Sequence, residues 1–214
     1  MLSVRGIILI LATVLVSGCG SHFRPTEPEP NTEPEPCTGP GCVGDINYDG
    51  IAFTIADAVM FSNYFLYGPG AFPAGKELIS TNASDMNGDG IKLGVADLAY
   101  IIRVVIGDAD LEVGPGWDPV STRYTYVHRI LTVENEMRTA YLVFDGDVRV
   151  ELLAENMEMK YDFDGSVTRA VVYSFDGHTF EGNVVSATNL MSVEFGSVEG
   201  AAVNASLWTV GSSL

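Results

Sequence analysis

The chain repeats a short acidic motif at an offset of 40 residues, and this duplication limits its possible folds more than any other feature. The run Asp45-Ile-Asn-Tyr-Asp-Gly-Ile51 returns as Asp85-Met-Asn-Gly-Asp-Gly-Ile91, and Ile55-Ala-Asp57 returns as Val95-Ala-Asp97. Such a repeat indicates two copies of one small supersecondary unit. Between residues 44 and 107 there are six Asp, and all six lie in the repeated motif. Acids scattered over a solvated surface would not be confined in this way.

Each copy has the pattern D-x-N-x-D-G-I, which is typical of a calcium-binding loop. Ca²⁺ takes about six to eight oxygen ligands, which come from loop positions 1, 3 and 5, a main-chain carbonyl at position 7 and a later acid. The sequence therefore predicts two calcium ions, with a metal-free turn rich in Asp, Asn and Gly as the alternative. The predicted ligands are Asp45, Asn47, Asp49, the carbonyl of Ile51 and Asp57, then Asp85, Asn87, Asp89, the carbonyl of Ile91 and Asp97.

The closing acid stands one residue later than in an EF-hand loop, where it falls at position 12. Counted from Asp45, position 12 is Ala56 and position 13 is Asp57, and the second copy has the same shift. An insertion shared by both copies indicates inheritance rather than decay, and we expect it to alter how each loop closes. Position 9 is Phe53 or Leu93, so a water is expected in that coordination slot.

Residues 1–18 are predicted to be a signal peptide rather than part of the fold. Arg5 gives a short positive region, residues 6–16 form an apolar run too short to span a bilayer comfortably, and Val16-Ser-Gly-Cys19 follows. This junction resembles the lipobox of bacterial lipoproteins, in which the signal is cut before a Cys that carries lipid; an ordinary signal peptide is the alternative. Because Gly20 is not the Asp that marks inner-membrane retention, we expect Cys19 to anchor the exported protein in the outer membrane or at the cell surface.

Residues 19–43 are predicted to be a Glu/Pro-rich stalk. Repeated Glu-Pro favours extended polyproline II, and the like charges repel along it. With Cys19 lipidated, Cys37 and Cys42 remain, and an exported chain is where disulfides persist. We therefore expect a Cys37–Cys42 disulfide; a C-x4-C metal site is the alternative, although no further Cys completes it.

Two loop–helix halves, with no good helix before the first, make residues 43–110 resemble a type I dockerin. The resemblance implies a calcium-folded module that binds a cohesin domain, an attachment best known from polysaccharide-degrading enzymes, and it implies the same ligand positions. The family often has Ser-Thr just before the closing acid as a recognition pair. Here Ile55-Ala56 and Val95-Ala96 stand there, so the resemblance does not imply an ordinary cellulosomal cohesin as partner.

The predicted helices at 55–67 and 95–106 are apolar on more than one stripe. A helix that is apolar nearly all round must be covered on several sides, and two short helices cannot cover each other fully. We expect their partner to be a cohesin-like domain in trans or the chain's own C-terminal domain in cis. A merely apolar two-helix core is the alternative.

From about Thr122 the apolar residues alternate as in strands, with Asp-Gly turn signals at 145–146, 164–165 and 176–177. Short strands at this spacing predict an antiparallel β-sandwich over residues 111–214. The sandwich weakly resembles cohesin-like domains, mainly at residues 168–182. The predicted fold class is α+β with two domains, a small dockerin-like α module at 44–110 followed by the sandwich.

The net charge of −17 excludes a nucleic-acid partner, because too few basic groups are present to neutralise phosphates. We expect a non-catalytic, lipid-anchored assembly protein of the cell envelope, linked to polysaccharide utilisation. The alternative is a polysaccharide-binding or polysaccharide-degrading protein whose sandwich is the active part.

Aromatic side chains such as Trp117 and Trp208 could stack on sugars, and a carboxylate pair for glycoside hydrolysis could come from Glu151, Glu155, Glu158, Asp162, Glu181 and Glu194. Acids at alternating strand positions more often form a solvated face, so no catalytic residue is predicted.

Overall fold

The computed structural model describes residues 42–208, and these residues belong to one compact unit. The predicted signal peptide, the lipidation site Cys19 and most of the stalk lie outside the described residues. Cys42 is disulfide-bonded. Its partner lies outside the described range as well, so the pairing with Cys37 stays a prediction.

Three α-helices lie in the first part of the described chain. They are α1 (Ile55–Tyr67), α2 (Glu77–Asn82) and α3 (Val95–Val105), with a 3-10 turn at Gly68–Ala71. The predicted helices α1 and α3 are confirmed, and α3 ends one residue earlier than expected. The short helix α2, which the sequence analysis did not predict, directly precedes the second loop. Between residues 42 and 208, no helix is long and apolar enough to cross a membrane.

The rest of the described chain forms one eight-stranded sheet, so the fold is α+β, as predicted, and mostly β. Every strand pair is antiparallel except β1 with β8, which is parallel and departs from the expected antiparallel arrangement. The strands are β1 (Val120–Val127), β2 (Ile130–Asp145), β3 (Glu151–Leu152), β4 (Glu158–Phe163), β5 (Val167–Tyr173), β6 (Phe180–Ser186), β7 (Leu190–Ser197) and β8 (Val203–Leu207).

Strand β2 belongs to two parts of the sheet at once. Its first half, 130–133, pairs with β1 and β6, whereas its second half, 140–144, pairs with β5 and β7. Register shifts between Val133 and Thr139 separate the halves, as expected where bulges bend a strand. The two parts close over one core, which includes Leu131, Val133, Leu142, Phe144, Val172, Val185 and Phe195.

A second core lies between the helices and the outer face of β2, β5 and β7. Phe61 and Ile102 of the helices share it with Val171 and Tyr173 of β5. Alternation along β5 turns Val171 and Tyr173 towards the helices, while Ala170 and Val172 face the first core. Nine of the eleven α3 residues are buried. The apolar helix α3 is therefore covered within the chain itself.

Helix α3 lies unusually close to the sheet at Gly196 on β7. The Thr139 hydroxyl of β2 donates a hydrogen bond of 2.9 Å to the carbonyl of Val95, in the first turn of α3. A Cβ added to Gly196 would stand 2.3 Å from that hydroxyl oxygen and 2.9 Å from the same carbonyl oxygen. Glycine is needed here because main chain and side chain approach it, not because of its own backbone conformation.

We expect Gly196→Ala to lower the free energy of unfolding by about 1–3 kcal/mol, because the added methyl forces α3 away from the sheet. Gly70→Ala is the matched control, since nothing lies within 4 Å of its added Cβ. Urea denaturation followed by circular dichroism compares the two variants. Equal stability of the two would show that the close contact of α3 with β7 is wrong.

Candidate metal centre

The first loop gathers the side chains at positions 1, 3 and 5 around its own main chain. The Asp49 N–H donates to Asp45 Oδ1 at 3.1 Å and to Asn47 Oδ1 at 2.9 Å. The Gly50 N–H donates to Asp45 Oδ2 at 3.1 Å, and Asn47 Nδ2 donates to Asp49 Oδ2 at 2.8 Å. The three predicted ligands of this loop are thus held next to one another.

The second loop repeats three of these four bonds 40 residues later. The Asp89 N–H donates to Asn87 Oδ1 at 3.1 Å, and Asn87 Nδ2 donates to Asp89 Oδ2 at 2.9 Å. The Gly90 N–H donates to Asp85 Oδ1 at 3.3 Å. Ile51 and Ile91 also match, because each N–H donates to the acid two residues before it, at 2.9 and 2.7 Å. The duplication seen in the sequence is therefore a duplication of structure.

Asp57 and Asp97, the predicted closing acids, are buried and bind the main chain. Asp57 Oδ1 accepts the N–H groups of Ile46 and Asn47 at 2.8 and 3.0 Å, and Oδ2 accepts the N–H and hydroxyl of Thr54 at 2.9 and 2.7 Å. Asp97 accepts the N–H groups of Met86, Asn87 and Gly94 at 2.8, 3.2 and 3.0 Å. Each carboxylate thereby ties the start of its loop to the first turn of the following helix, a role that the sequence analysis missed.

Each loop has a residue in the left-handed backbone conformation at the same place before its closing acid. Phe53 has φ 57° and Leu93 has φ 63°, at the same place in the two copies. This conformation costs a residue with a Cβ about 1–2 kcal/mol. The Phe53 side chain packs in the second core, and this burial offsets the cost. The water predicted beside position 9 stays a prediction.

The donors that the loops offer are those of a hard cation. Among the residues that the structure describes, no three His, Cys, Asp or Glu side chains form a metal-binding group. Each loop instead brings together two Asp and one Asn, while its third acid faces the main chain. Such an oxygen-only set fits Ca²⁺, with waters completing the shell, better than it fits a soft transition metal. For Asp57 to bind the ion, it would have to exchange some of its four hydrogen bonds.

Burial alone disfavours the ionised form of both closing acids. Desolvation raises the pKa of Asp57, although four hydrogen bonds oppose the shift. Desolvation raises the pKa of Asp97 to about 8, again against its main-chain hydrogen bonds. A divalent cation nearby would favour the charged form of these groups.

The two loops differ in what covers them. Asn87 Nδ2 donates to the carbonyl of Gly200 at 3.0 Å, and the Asn87 carbonyl accepts the Gly116 N–H at 2.9 Å. The second loop is thus covered by the β7–β8 turn and by the segment before β1. The first loop is more open at the matching ligand positions, since Asn47 is half-buried and Asp49 exposed, whereas Asn87 is buried and Asp89 half-buried.

The candidate acids for glycoside hydrolysis are spread over the sheet. Glu158 and Asp162 lie on β4, Glu181 on β6 and Glu194 on β7, and Asp162 and Glu194 line a common cleft. Trp117 packs against Tyr100, with 5.7 Å between ring centroids, while Trp208 is half exposed beside Arg123.

Comparison with known proteins gives no match to any protein family, curated protein or solved structure. The dockerin and cohesin resemblances therefore rest on the repeated motif and the strand pattern. The calcium ligands stay predictions, and the structure gives the hydrogen bonds of each predicted ligand side chain.

The pKa of Asp97 predicts how the metal-free chain responds to pH. Its folded-state pKa of about 8 exceeds the ordinary value of 3.8, so the unfolded state releases this proton first. In EDTA, this residue should make the free energy of unfolding fall as pH rises from 3.8 towards about 8. Urea titrations across this range should show that Asp97→Asn removes this part of the slope, whereas Asp118→Asn, at an exposed position, keeps it. An unchanged slope in Asp97→Asn would contradict the raised pKa.

Proposed function

We propose that the protein is a calcium-stabilised, non-catalytic binding protein of the bacterial cell envelope. Its duplicated loop–helix module is dockerin-like and its sheet is a cohesin-like sandwich. The observation that carries the proposal is the repetition of the loop hydrogen bonds in both copies, which holds two carboxylates and one amide together each time.

Electrostatics supports a bound cation. Asp45 and Asp97 are buried at 5% and 1% exposure, where a carboxylate is costly without a counter-charge. Within residues 42–208, no basic side chain forms an ion pair with Asp45 or Asp97. A divalent ion in each loop supplies that counter-charge and, by binding only the folded state, adds stability.

Packing supports the chain's own sheet as the partner of the module. Helix α3 contacts α1, β2 and β7, and its apolar faces are covered. The Phe65 ring of α1 lies 5.1 Å from the Tyr141 ring of β2, between centroids. We therefore favour partnership in cis, and the protein then presents module and sandwich together as one rigid unit on its stalk.

A partner in trans is the second candidate, and an apolar groove favours it. The groove, of about 570 Å³, lies beside α1 and α3 and is lined by Ile55, Val104 and Leu111 among others. Ile55 is 49% exposed and Leu111 is 60% exposed. Ile55 also occupies one position of the recognition pair in the dockerin resemblance, so a second cohesin-like domain would meet this groove.

The lipid anchor at Cys19 and the link to polysaccharide utilisation remain part of the proposal. They rest on the lipobox-like junction and on the dockerin resemblance. The acidic stalk would hold the folded unit away from the membrane surface.

Asp45→Ala and Asp85→Ala test the calcium proposal, one in each loop, with Asp118→Ala as a control at an exposed site outside the loops. Calorimetry should show two calcium ions for the wild type and the control, and about one for each loop variant. Calcium at a few hundred times Kd should add roughly 3–4 kcal/mol per site to the free energy of unfolding of the wild type. Magnesium should substitute poorly, because it demands a tighter octahedral shell.

The two loop variants should differ in their effect on stability. Asp85→Ala should destabilise the whole chain more, because the second loop is bonded to the β7–β8 turn and to residues before β1. Asp45→Ala should mainly loosen α1. A wild type that binds no calcium, or that melts identically in calcium and EDTA, would contradict the proposed function.

A further inference from the structure

The first half of β2 forms an outward-facing sheet surface together with β1, β6 and β8, in the strand order β6-β2-β1-β8. Among the described residues, none from these strands belongs to the second core, which lies beneath the helices. Leu131 and Val133 face the first core, so the side chain of Thr132 between them faces outwards. Glu134 and Asn183 are exposed. This surface is therefore open to solvent.

Trp208 directly follows β8 and stands at one end of this surface. Its main-chain N–H donates to the carbonyl of Tyr124 at 2.8 Å, which fixes the residue beside β1. Its side chain is nevertheless 53% exposed. The Arg123 guanidinium carbon lies 5.6 Å from the centroid of the Trp208 ring. An indole that is held in place and still exposed is a typical anchor for a ligand.

A concavity of about 310 Å³ lies between Trp208 and the strands, and its lining is mostly apolar. Two polar pairs border it. Arg123 Nε donates to Glu134 Oε2 at 2.6 Å, and a second guanidinium N–H donates to the other carboxylate oxygen. The Thr132 hydroxyl donates to Asn183 Oδ1 at 2.9 Å. An apolar floor with a few polar groups at its rim is the usual form of a small-molecule site.

The charges at the rim favour a neutral ligand. Arg123 and Glu134 neutralise each other in a two-pronged ion pair, so the residues that line the concavity offer no unpaired charge. The net charge of −17 also repels anions at long range. Hydroxyl and amide side chains both donate and accept hydrogen bonds. A pyranose sugar matches this arrangement, because its C–H groups form an apolar face and its hydroxyl groups surround that face.

A row of outward-facing side chains extends the site across the sheet. Thr125 pairs with Thr132, and Thr132 pairs with Asn183. Trp208 lines the concavity together with Thr125, so it forms the other end of the row. The row spans three strand spacings, about 14 Å. A straight row of this length accommodates an extended chain of sugar units better than a single monosaccharide.

We propose that this surface binds a neutral polysaccharide of β-linked pyranose units, with one ring stacked on Trp208 and the chain running along the row towards Asn183. The β-linkage follows from the row, because β-linked pyranose chains are extended. A protein partner fits less well, since the row beyond Trp208 offers only short polar side chains and little apolar area to bury. The site lies on the sandwich and goes beyond the proposed function, which assigns the sandwich no ligand.

The test uses the mature chain in calcium buffer with cellohexaose, xylohexaose and mannohexaose, which are neutral and β-linked. The Trp117→Phe variant leaves Trp208 as the sole tryptophan, so its fluorescence reports on the site directly. At least one of the three sugars should change this fluorescence at millimolar concentration. The anionic sugar hexagalacturonate should not, and salt should leave the binding of the neutral sugar unchanged because no net charge is screened.

Trp208→Ala should weaken binding about tenfold or more, as expected for the loss of an aromatic anchor, and calorimetry measures the affinity of this variant. Trp208→Phe should retain part of the affinity. Thr132→Val should weaken binding about threefold, because it removes one hydroxyl without changing the shape of the side chain. Thr188→Val is its control, since Thr188 is half-buried like Thr132 but does not line the concavity, and it should bind as the wild type does.

Binding of none of the three neutral sugars, equal affinity of Trp208→Ala and the wild type, or equal binding of hexagalacturonate would overturn the proposal. Circular dichroism of each variant shows whether it is folded, and Trp208→Phe keeps the test valid if Trp208→Ala is not. Calcium stoichiometry is measured on the same samples, so failure of the sugar site is distinguishable from failure of the calcium loops.

Discussion

The buried carboxylate of Asp97 fixes the position of α3, and the rest of the structure depends on where α3 lies. Its oxygens accept N–H groups from the start of the second loop and from Gly94 at the helix N-terminus. Helix α3 then bridges α1 and the outer face of β2 and β7, where Gly196 lets it approach. A carboxylate this well buried needs hydrogen bonds or a nearby cation to remain ionised. The loop that could hold that cation begins at Asp85, directly before Met86. Because Asp97 accepts the Met86 N–H, metal binding and the position of α3 are linked through this one side chain.

The two loops have similar local geometry but different surroundings. Both loops share most of their internal hydrogen bonds and a left-handed residue at Phe53 or Leu93. The second loop lies against the β7–β8 turn through the buried Asn87, whereas the matching Asn47 of the first loop is half-buried. The loops are joined as well, since the Gly44 N–H donates to the Ala83 carbonyl at 2.8 Å, and the Ser80 hydroxyl donates to the Ile46 carbonyl at the same distance. We infer that the second loop supports the fold, and that an ion in the first loop would exchange more freely.

Sequence reasoning predicted the features that local chemistry determines, and it missed those that long-range packing determines. Helices α1 and α3 follow from the apolar runs after the two loops, and the mostly β C-terminal part follows from alternation and Asp-Gly turns. The hydrogen bonds that Asp57 accepts could not be predicted from the sequence, because they depend on the left-handed backbone at Phe53. A buried aromatic residue gives no sequence signal of that conformation. The close contact at Gly196 and the division of β2 between two parts of the sheet depend on partners far along the chain. One signal was available: an acid at the third helical position after Thr54 is typical of a capping box, which is what Asp57 forms.

The central claim is that calcium in the loops holds the helices on the sheet, and amide hydrogen exchange in calcium and in EDTA tests it most directly. Removing calcium should reduce the protection of α3 and of β7 together, because the two are packed against each other. Protection of β6, which faces the other core, should change little. Loss of protection in α3 while β7 is unaffected would show that the helices and the sheet are independent, and unchanged protection throughout would show that calcium does not hold them.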